Sequence, residues 1–209
     1  MNEALFEFDA EMRRKYGVIV GCDEAGRGPL AGPVVAAAVI LSPERPAVGE
    51  KLAKLNDSKK LNEDTREMLF EEIRQHAVAV RAFCVSPKVI DEINILKASL
   101  FAMYKCLTPI KGWNYALIDG NQLVPQIDAG IQKAVVKGDA KSASIAAASI
   151  VAKVLRDRIM KKYHNKYPDY NFAQHKGYPT KAHYEAIKTF GLSPIHRLSF
   201  CKNISDKHI

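Results

Sequence analysis

The sequence predicts an α/β fold: a mixed β-sheet flanked by helices, with a small C-terminal helical appendage. Three observations carry this. Short apolar runs with strand character come early and then alternate with helical segments, the order of a mixed sheet with helices on its faces. Acidic residues stand where those runs end, each followed closely by glycine or another small residue. They are Asp23 and Glu24 in Gly-Cys-Asp-Glu-Ala-Gly-Arg-Gly (21–28), Asp119 in Leu-Ile-Asp-Gly-Asn (117–121) and Asp139 in Val-Val-Lys-Gly-Asp-Ala-Lys-Ser (135–142). A chain of 209 residues, 47% hydrophobic and 26% charged, is long enough for one core and apolar enough to fill it. One domain over 1–209 is expected, with residues from about 165 onward packed on it as the appendage.

Residues 17–22 read as the first strand and 33–41 as the second, reached through the Gly/Pro-rich turn 26–33. Residues 43–60 form a polar connection ending in Asn56-Asp57-Ser58-Lys59-Lys60. Asn62 has the short polar side chain of an N-cap. Glu63, Asp64 and Glu67 suit the positive end of a helix dipole, so a helix runs from there to about His76. Met68, Leu69, Ile73 and Ala77 are spaced to share one of its faces. Residues 79–85 alternate as a strand does. Pro87 opens a short helix, and a longer one follows over roughly 94–107.

Residues 115–118 form the next strand, ending at Asp119, and 134–136 a short one ending before Asp139. Ser142 begins a long helix reaching about Tyr163. Its face of Ile145, Ala148, Ser149, Ala152 and Ile159 is mostly small, so its backbone is expected close to the sheet. A last helix spans about 180–190, and Gly191 stops it. There is no internal repeat or low-complexity segment.

Several function classes are excluded by composition. The longest weakly polar run, 29–41, is too short to cross a membrane. Residues 1–15 mix acids and bases without an apolar core, so no signal peptide is expected. Cys22, Cys84, Cys106 and Cys201 lie far apart without a CxxC pair, which argues against zinc or a disulfide framework and for a cytoplasmic protein. The six histidines lack HExxH spacing, so a zincin site is not expected. The net charge of +8 is uneven: residues 133–209 hold 15 Lys/Arg against 5 Asp/Glu, and residues 1–132 hold 16 against 18. A basic C-terminal third beside an acidic site suits a phosphodiester substrate, with bases on the backbone and acids on a metal. The same charge is also that of an ordinary solvated surface.

Several carboxylates at one end of a sheet repel each other unless a cation joins them, and an all-oxygen set suits Mg²⁺ or Mn²⁺. Taken singly, each acid reads equally well as a turn residue after a strand. Neighbours on a strand point to opposite faces, so Asp23 and Glu24 cannot both reach one metal from a regular strand. A bulge or the strand end at Gly26 and Gly28 would let them converge; alternatively one contributes its backbone carbonyl. Asp23, in line with the apolar strand, is the better side-chain ligand. Gly26-Arg27-Gly28 with Gly32 fits neither GxGxxG nor GxxxxGK[ST]. Two residues without Cβ do let a backbone approach a sugar, and an arginine can grip a phosphate.

Residues 23–39, Asp-Glu-Ala-Gly-Arg-Gly-Pro-Leu-Ala-Gly-Pro-Val-Val-Ala-Ala-Ala-Val, resemble the signature of type 2 ribonuclease H, ribonuclease HII. The likeness continues at Asn56-Asp-Ser-Lys-Lys-Leu61, Ile118-Asp-Gly-Asn121 and Lys137-Gly-Asp139. It extends through 145–157, His175-Lys-Gly-Tyr-Pro-Thr180 and His196-Arg-Leu-Ser-Phe200, in the family's order from about residue 17 to 201. The resemblance implies a ribonuclease-H-like sheet and two Mg²⁺ or Mn²⁺ ions on the catalytic acids Asp23, Glu24, Asp119 and Asp139, with Asp139 the most exchangeable ligand. It implies that Gly26, Arg27, Gly28 and Tyr178 read the ribonucleotide. Asn56, Ser58, Lys59 and Lys153 are further candidates for backbone or phosphate contact. His175, His196 and Arg197 match the family's motifs without an assigned role.

The implied activity is an endoribonuclease, working as a monomer on RNA–DNA hybrid and on ribonucleotide-containing duplex DNA. It would cut 5′ of embedded ribonucleotides and leave 5′-phosphate and 3′-hydroxyl ends. The chain stops soon after Arg-Leu-Ser-Phe and shows no clamp-binding peptide of the glutamine-plus-aromatic type. The alternatives are a non-catalytic hybrid-binding module, a junction-resolving nuclease on the same sheet, or a two-carboxylate glycosidase. A single Trp and the basic C-terminal third make a sugar cleft the less attractive.

Overall fold

At the middle of the sheet lies β1 (Ile19–Ala25), apolar at its start and carrying a glycine where a helix comes close. This is a computed structural model, and it describes residues 3–42, 52, 55, 58 and 61–202. β1 pairs antiparallel with β2 (Val34–Leu41) and parallel with β4 (Tyr115–Asp119). β3 (Ala77–Val85) and β5 (Gln132–Val135) form the edges, giving the order β3-β2-β1-β4-β5. The sheet is mixed, as expected. β2 is buried at all eight positions, the pattern of a strand covered on both faces. β3 starts two residues before the expected point and, as an edge, leaves most of its side chains partly or fully exposed.

Local chemistry sets the helices. α1 spans Glu3–Tyr16, α2 Glu63–His76, α3 Pro87–Ile93, α4 Ile95–Leu107 and α5 Ala143–Lys166. Asn62 caps α2 by accepting from the Thr65 amide at 2.8 Å. Ser86 caps α3 ahead of Pro87, Asn94 caps α4, and Ser142 caps α5. Each satisfies an amide that the first helical turn leaves unpaired. α6 (Phe172–His175), α7 (Lys181–Phe190) and α8 (Leu198–Cys201) complete the C-terminal part. Gly191, at φ 74°, closes α7.

Two apolar layers sandwich the sheet. Ala37, Val39 and Leu41 of β2 pack with Leu69 and Ile73 of α2 and the alanine-rich face of α5. Val20, Cys22, Ala36 and Ala38 pack on the other side against Ala98, Ala102 and Met103 of α4. The small face of α5 comes as close as its sequence implies. A Cβ on Gly21 of β1 would stand 2.2 Å from the Ser144 carbonyl carbon. Among the described residues, no helix is long and apolar enough to cross a membrane.

The sequence reading assigned no structure to residues 1–15, yet α1 covers nearly all of them. Its buried positions are Leu5, Asp9 and Met12, and with an acid among them the apolar stripe is weak. Asp9 is fully buried at the start of α5. It accepts from the Ser142 hydroxyl at 2.6 Å, the Ser144 amide at 2.9 Å and the Ser144 hydroxyl at 2.6 Å. A carboxylate at a helix N-terminus meets the positive end of its dipole.

The C-terminal part has its own apolar cluster, in which Leu30, Ala31, Met160, Phe172, Ile187 and Ile195 meet. The turn after β1 is sewn into it: Leu30 donates to Gly177 O, Gly32 to Ile195 O, and Arg197 N to Leu30 O. Three buried histidines lie inside. His175 stacks on His183 at 4.3 Å between ring centres, and His183 Nε2 lies 3.0 Å from His196 Nε2. Burial pushes the pKa of His175 down, and those of His183 and His196 down to about 4.

Two outcomes follow from this packing. A Gly21→Ala chain should lose roughly 2–4 kcal/mol in urea unfolding, because β1 and α5 must separate to admit one methyl group. His183 and His196 titrate lower when folded than unfolded, so the unfolded chain binds more protons between pH 6.5 and about 4. Their contribution is complete above pH 6.5 and is withdrawn as pH falls toward 4. Urea midpoints should fall across that window, and less steeply in His183→Phe.

Candidate active site

Strand alternation decides which side of the sheet each acid meets. Odd-numbered residues of β1 face α5, and even-numbered ones face α4. Asp23 therefore points toward α5, where the Ser149 hydroxyl is near enough to its carboxylate to favour the charged form. Ser149 in turn lies 2.9 Å from the Ser58 hydroxyl. Asp23 Oδ1 also accepts from the Glu24 amide at 2.6 Å. β1 keeps regular register with β2 through Ala25↔Val35. The bulge entertained from the sequence is thus absent, and Glu24 projects to the other face from the next-to-last position of the strand. There Arg27 Nη1 reaches it at 3.4 Å.

Asp119 ends β4, parallel to β1 and next to it, and accepts from the Gly138 amide at 2.7 Å. Gly138 lies in a single helical turn, Gly138–Ala140, between β5 and α5, and Asp139 is buried in that turn. A Cβ on Gly138 would come 3.0 Å from Asp119 Oδ1 and 2.6 Å from Ile145 Cδ1, so only glycine lets the turn close onto Asp119.

The electrostatics confirm that the acids feel one another. Burial pushes the Asp23 carboxyl well above the usual range, and the charges of Glu24 and Asp119 push it further. Glu24 is raised by burial first and by Asp119, against the pull of Arg27. These carboxylates are anionic only at a cost, which an added cation removes. Among the described residues no three His, Cys, Asp or Glu side chains converge tightly enough, as they stand, to hold one ion between them. The donor set itself, all carboxylate oxygen with mutual repulsion, fits a hard divalent ion. Asp23 and Asp119, side by side on neighbouring strands, would hold it, with Glu24 near enough to feel Asp119 and Asp139 one residue from the turn amide that binds Asp119.

The glycine-arginine-glycine turn leaves the acids directly. Gly26 has φ +101°, and a Cβ there would stand 2.2 Å from Arg156 Nε. Gly28 is open except toward Tyr178, whose Cε1 would lie 3.8 Å from a Cβ on Gly28. The Tyr178 ring is 39% exposed, with the Arg156 guanidinium 5.7 Å and the Lys153 ammonium 5.9 Å from its centre. Gly28 and Tyr178, 150 residues apart in sequence, thus form one partly open surface beside Glu24 and Arg27.

Other expected contacts turn out differently. Asn56 and Lys59 lie outside the described residues, as do most of residues 43–60. Ser58 is buried with its hydroxyl on Ser149, behind Asp23 and turned away from solvent. Lys153 donates to Asp157 at 2.8 Å. Arg156, beside Lys153 on α5, is fully buried and donates to Pro33 O and Ala31 O. Arg158 pairs with Glu67 of α2.

Sequence reasoning missed the holding function of Arg156 and Arg197 and the burial of Asp9. Arg197 is fully buried and donates to Gly32 O at 3.0 Å, Arg27 O at 3.1 Å and Gly26 O at 2.6 Å. It thereby occupies three carbonyls of the turn. Burial and neighbouring Arg156 pull its pKa down to about 9. The one available signal was an arginine in an otherwise apolar stretch, 195–201.

The family model for ribonuclease HII matches residues 20–203. The ribonuclease HII of Dechloromonas aromatica is 52% identical over 185 residues, 88% of this chain and 91% of that protein. That of Acetivibrio thermocellus is 53% identical over 203 residues, 97% of this chain and 77% of that protein. The crystal structure of ribonuclease H2 from Pyrococcus horikoshii superposes with a TM-score of 0.72 at 27% identity, covering 90% of this chain and 97% of that one.

Without added metal, Asp23→Asn should raise the melting temperature at pH 7–8 by a few degrees, about 1 kcal/mol or more. The amide keeps the acceptor for the Glu24 N–H and removes a buried repelling charge. Since the Asp23 pKa is raised on folding, the wild type gains on the variant as pH falls and Asp23 takes up a proton. Melts in EDTA against pH measure the difference.

Proposed function

The chain belongs to the ribonuclease HII family and is an endoribonuclease of the type 2 ribonuclease H class, and from that premise we propose how its residues divide the work. Asp23, Glu24, Asp119 and Asp139 hold two divalent ions, Mg²⁺ or Mn²⁺. When bound, such ions supply Lewis-acid activation of water and charge stabilisation at the leaving 3′-oxygen. Asp23 is oriented by the Glu24 amide, with the Ser149 hydroxyl nearby. Asp119 is oriented by the Gly138 amide.

Recognition sits next to this chemistry. The backbone of Gly26–Gly28 and the Tyr178 ring read the ribonucleotide. The 2′-OH both donates and accepts, and it is what tells RNA from DNA at such a site. Main-chain amides on a turn without Cβ atoms can reach it, and an exposed tyrosine can stack on the sugar or base while its hydroxyl bonds. Arg27 and Lys153 neutralise phosphates beside the cut. The observation that carries this reading is the closeness of Gly28 to Tyr178, whose Cε1 would stand 3.8 Å from a Cβ on Gly28, on a turn that starts two residues beyond Glu24.

The products are 5′-phosphate and 3′-hydroxyl ends, and cutting 5′ of a lone ribonucleotide in duplex DNA would open a repair tract. Residues from about 165 act as an appendage of a single catalytic domain, because Leu30 and Ala31 of the turn share one apolar cluster with Phe172, Ile187 and Ile195. Free thiols at all four cysteines suit a reducing cytoplasm.

A duplex with one embedded ribonucleotide, incubated with Mg²⁺ or Mn²⁺ and with EDTA beside an all-DNA control, tests the reading. A single metal-dependent cut on the 5′ side of the ribonucleotide is expected. Asp23→Asn and Asp119→Asn should each lower kcat by roughly 10³-fold or more. Tyr178→Ala should lower kcat/KM on the single-ribonucleotide duplex by about 10–100-fold and on long hybrids by less. Unchanged cutting by the Asp23 and Asp119 variants would remove the four-acid site, and cutting of long hybrids alone would remove the junction-reading role.

A further inference from the structure

Tyr178 rests on a buried polar lattice whose proton positions are forced. The Ser193 amide, which can only donate, lies 2.9 Å from His196 Nδ1. His196 Nδ1 is therefore the acceptor, and the neutral ring carries its proton on Nε2. That nitrogen faces His183 Nε2 at 3.0 Å, so His183 accepts there and carries its own proton on Nδ1. His183 Nδ1 then donates to the Tyr178 carbonyl at 2.9 Å. The chain of donors runs one way, from Ser193 through two imidazoles to the main chain of Tyr178. His175 stacks under His183 and fixes the same strip: its Nδ1 accepts from the Gly177 amide at 3.2 Å, and its Nε2 donates to Tyr170 O at 2.7 Å. Phe172 sets its ring edge-on to both His175 and His183.

The far end of this chain lies on the segment that grips the other half of the recognition surface. His196 makes an isolated bridge to Ala31, and the next residue, Arg197, holds the carbonyls of Gly26, Arg27 and Gly32. One short stretch thus places the glycine turn directly and Tyr178 through two rings.

We propose that His196 and His183 form a directed relay that sets the main chain of Tyr178 against Gly28, making His183 a positioning residue for recognition of the ribonucleotide. This rests on the reading of Tyr178 given above. It assigns a role to two histidines that touch neither the acids nor the open surface. Both rings act in the neutral form: a second proton on His183 would set two N–H groups against each other at 3.0 Å, and one on His196 would face the Ser193 N–H at 2.9 Å.

The relay separates two substitutions of similar polarity. An asparagine amide sits as many bonds from Cα as His Nδ1, and a glutamine amide as many as His Nε2. His183→Asn keeps a donor for the Tyr178 carbonyl, and His183→Gln keeps the contact with His196 but loses that donor. The measured quantity is kcat/KM on a single-ribonucleotide duplex divided by kcat/KM on a long RNA–DNA hybrid, with metal present. His183→Gln should lower this ratio roughly tenfold, mostly through KM, and His183→Asn by less than about threefold. In a Tyr178→Ala background the effect of His183→Gln should vanish, since the group it positions is gone. Nitrogen-15 spectra of the wild type should show His183 protonated on Nδ1 and His196 on Nε2 at pH 7.

Equal losses in the two His183 variants, or a loss that persists in Tyr178→Ala, would overturn the relay and leave His183 as packing. If Tyr178→Ala leaves the ratio unchanged, the reading of Tyr178 falls and the positioning role with it. If Tyr178→Ala changes the ratio and His183→Gln does not, only the relay falls. Should His183→Gln not fold, His196→Asn makes the same cut one step back. It keeps the Ser193 contact and removes the donor to His183, and the same ratio must fall.

Discussion

Everything at the working end of this molecule is measured from the contact between α5 and β1 at Gly21. With no side chain there, the helix backbone lies on the strand, and successive turns of α5 meet successive parts of the site. Ser144 touches Gly21, Ile145 meets Gly138, Ser149 reaches Asp23, Arg156 fills the space beside Gly26, and Met160 lies against Gly32 and Gly177. These positions recur at helical spacing, so one face of one helix spans the acids, the glycine turn and the C-terminal part. The closest of these neighbours at Gly21, Gly26, Gly32 and Gly138 would stand 2.2–2.6 Å from an added Cβ. The glycines of the turn are therefore packing requirements as much as conformational ones.

That helix is anchored by a charge that takes no part in the chemistry. Asp9 of α1 satisfies the hydroxyls of Ser142 and Ser144 and the Ser144 amide at its start. Two residues before its N-cap lies the turn that carries Asp139 and binds Asp119 through Gly138. A helix of small residues gains little from apolar burial per residue, so a firm N-terminus matters more to its placement than it would for a leucine-rich helix. The geometry of Asp119 and Asp139 is thereby tied to an acid near the opposite end of the chain.

The site also divides its charges by depth. Carboxylates sit at the ends of β1 and β4, buried and repelling, where a cation is the natural complement. The guanidinium groups of Arg156 and Arg197 lie behind the glycine turn, each spent on main-chain carbonyls. A buried arginine on carbonyls gives geometry, and a surface arginine on phosphate gives affinity. Arg27, half exposed and beside Glu24, is the one of the three placed for the second task. The neutral imidazoles complete the arrangement, since they orient a main chain without adding charge next to two buried cations.

The sequence by itself determined the strands and most of the helices, and it singled out four acids at or just beyond strand ends. Apolar runs, caps such as Asn62 and Ser142, and the stop at Gly191 are local signals, and local signals are sufficient for elements. The resemblance carried by residues 23–39 and by the later motifs named the chemistry and, through Tyr178, part of the recognition surface. It did not reveal α1, because an amphipathic helix with an aspartate on its buried face shows no clean apolar period. It offered Ser58 as a candidate for backbone or phosphate contact and gave His196 and Arg197 no role. In each case the tertiary structure decided. Whether a polar side chain serves substrate or scaffold depends on which groups fold against it, and the carbonyls held by Arg156 and Arg197 lie more than a hundred residues away in sequence. Sequence encodes the donor, and only folding supplies its acceptor.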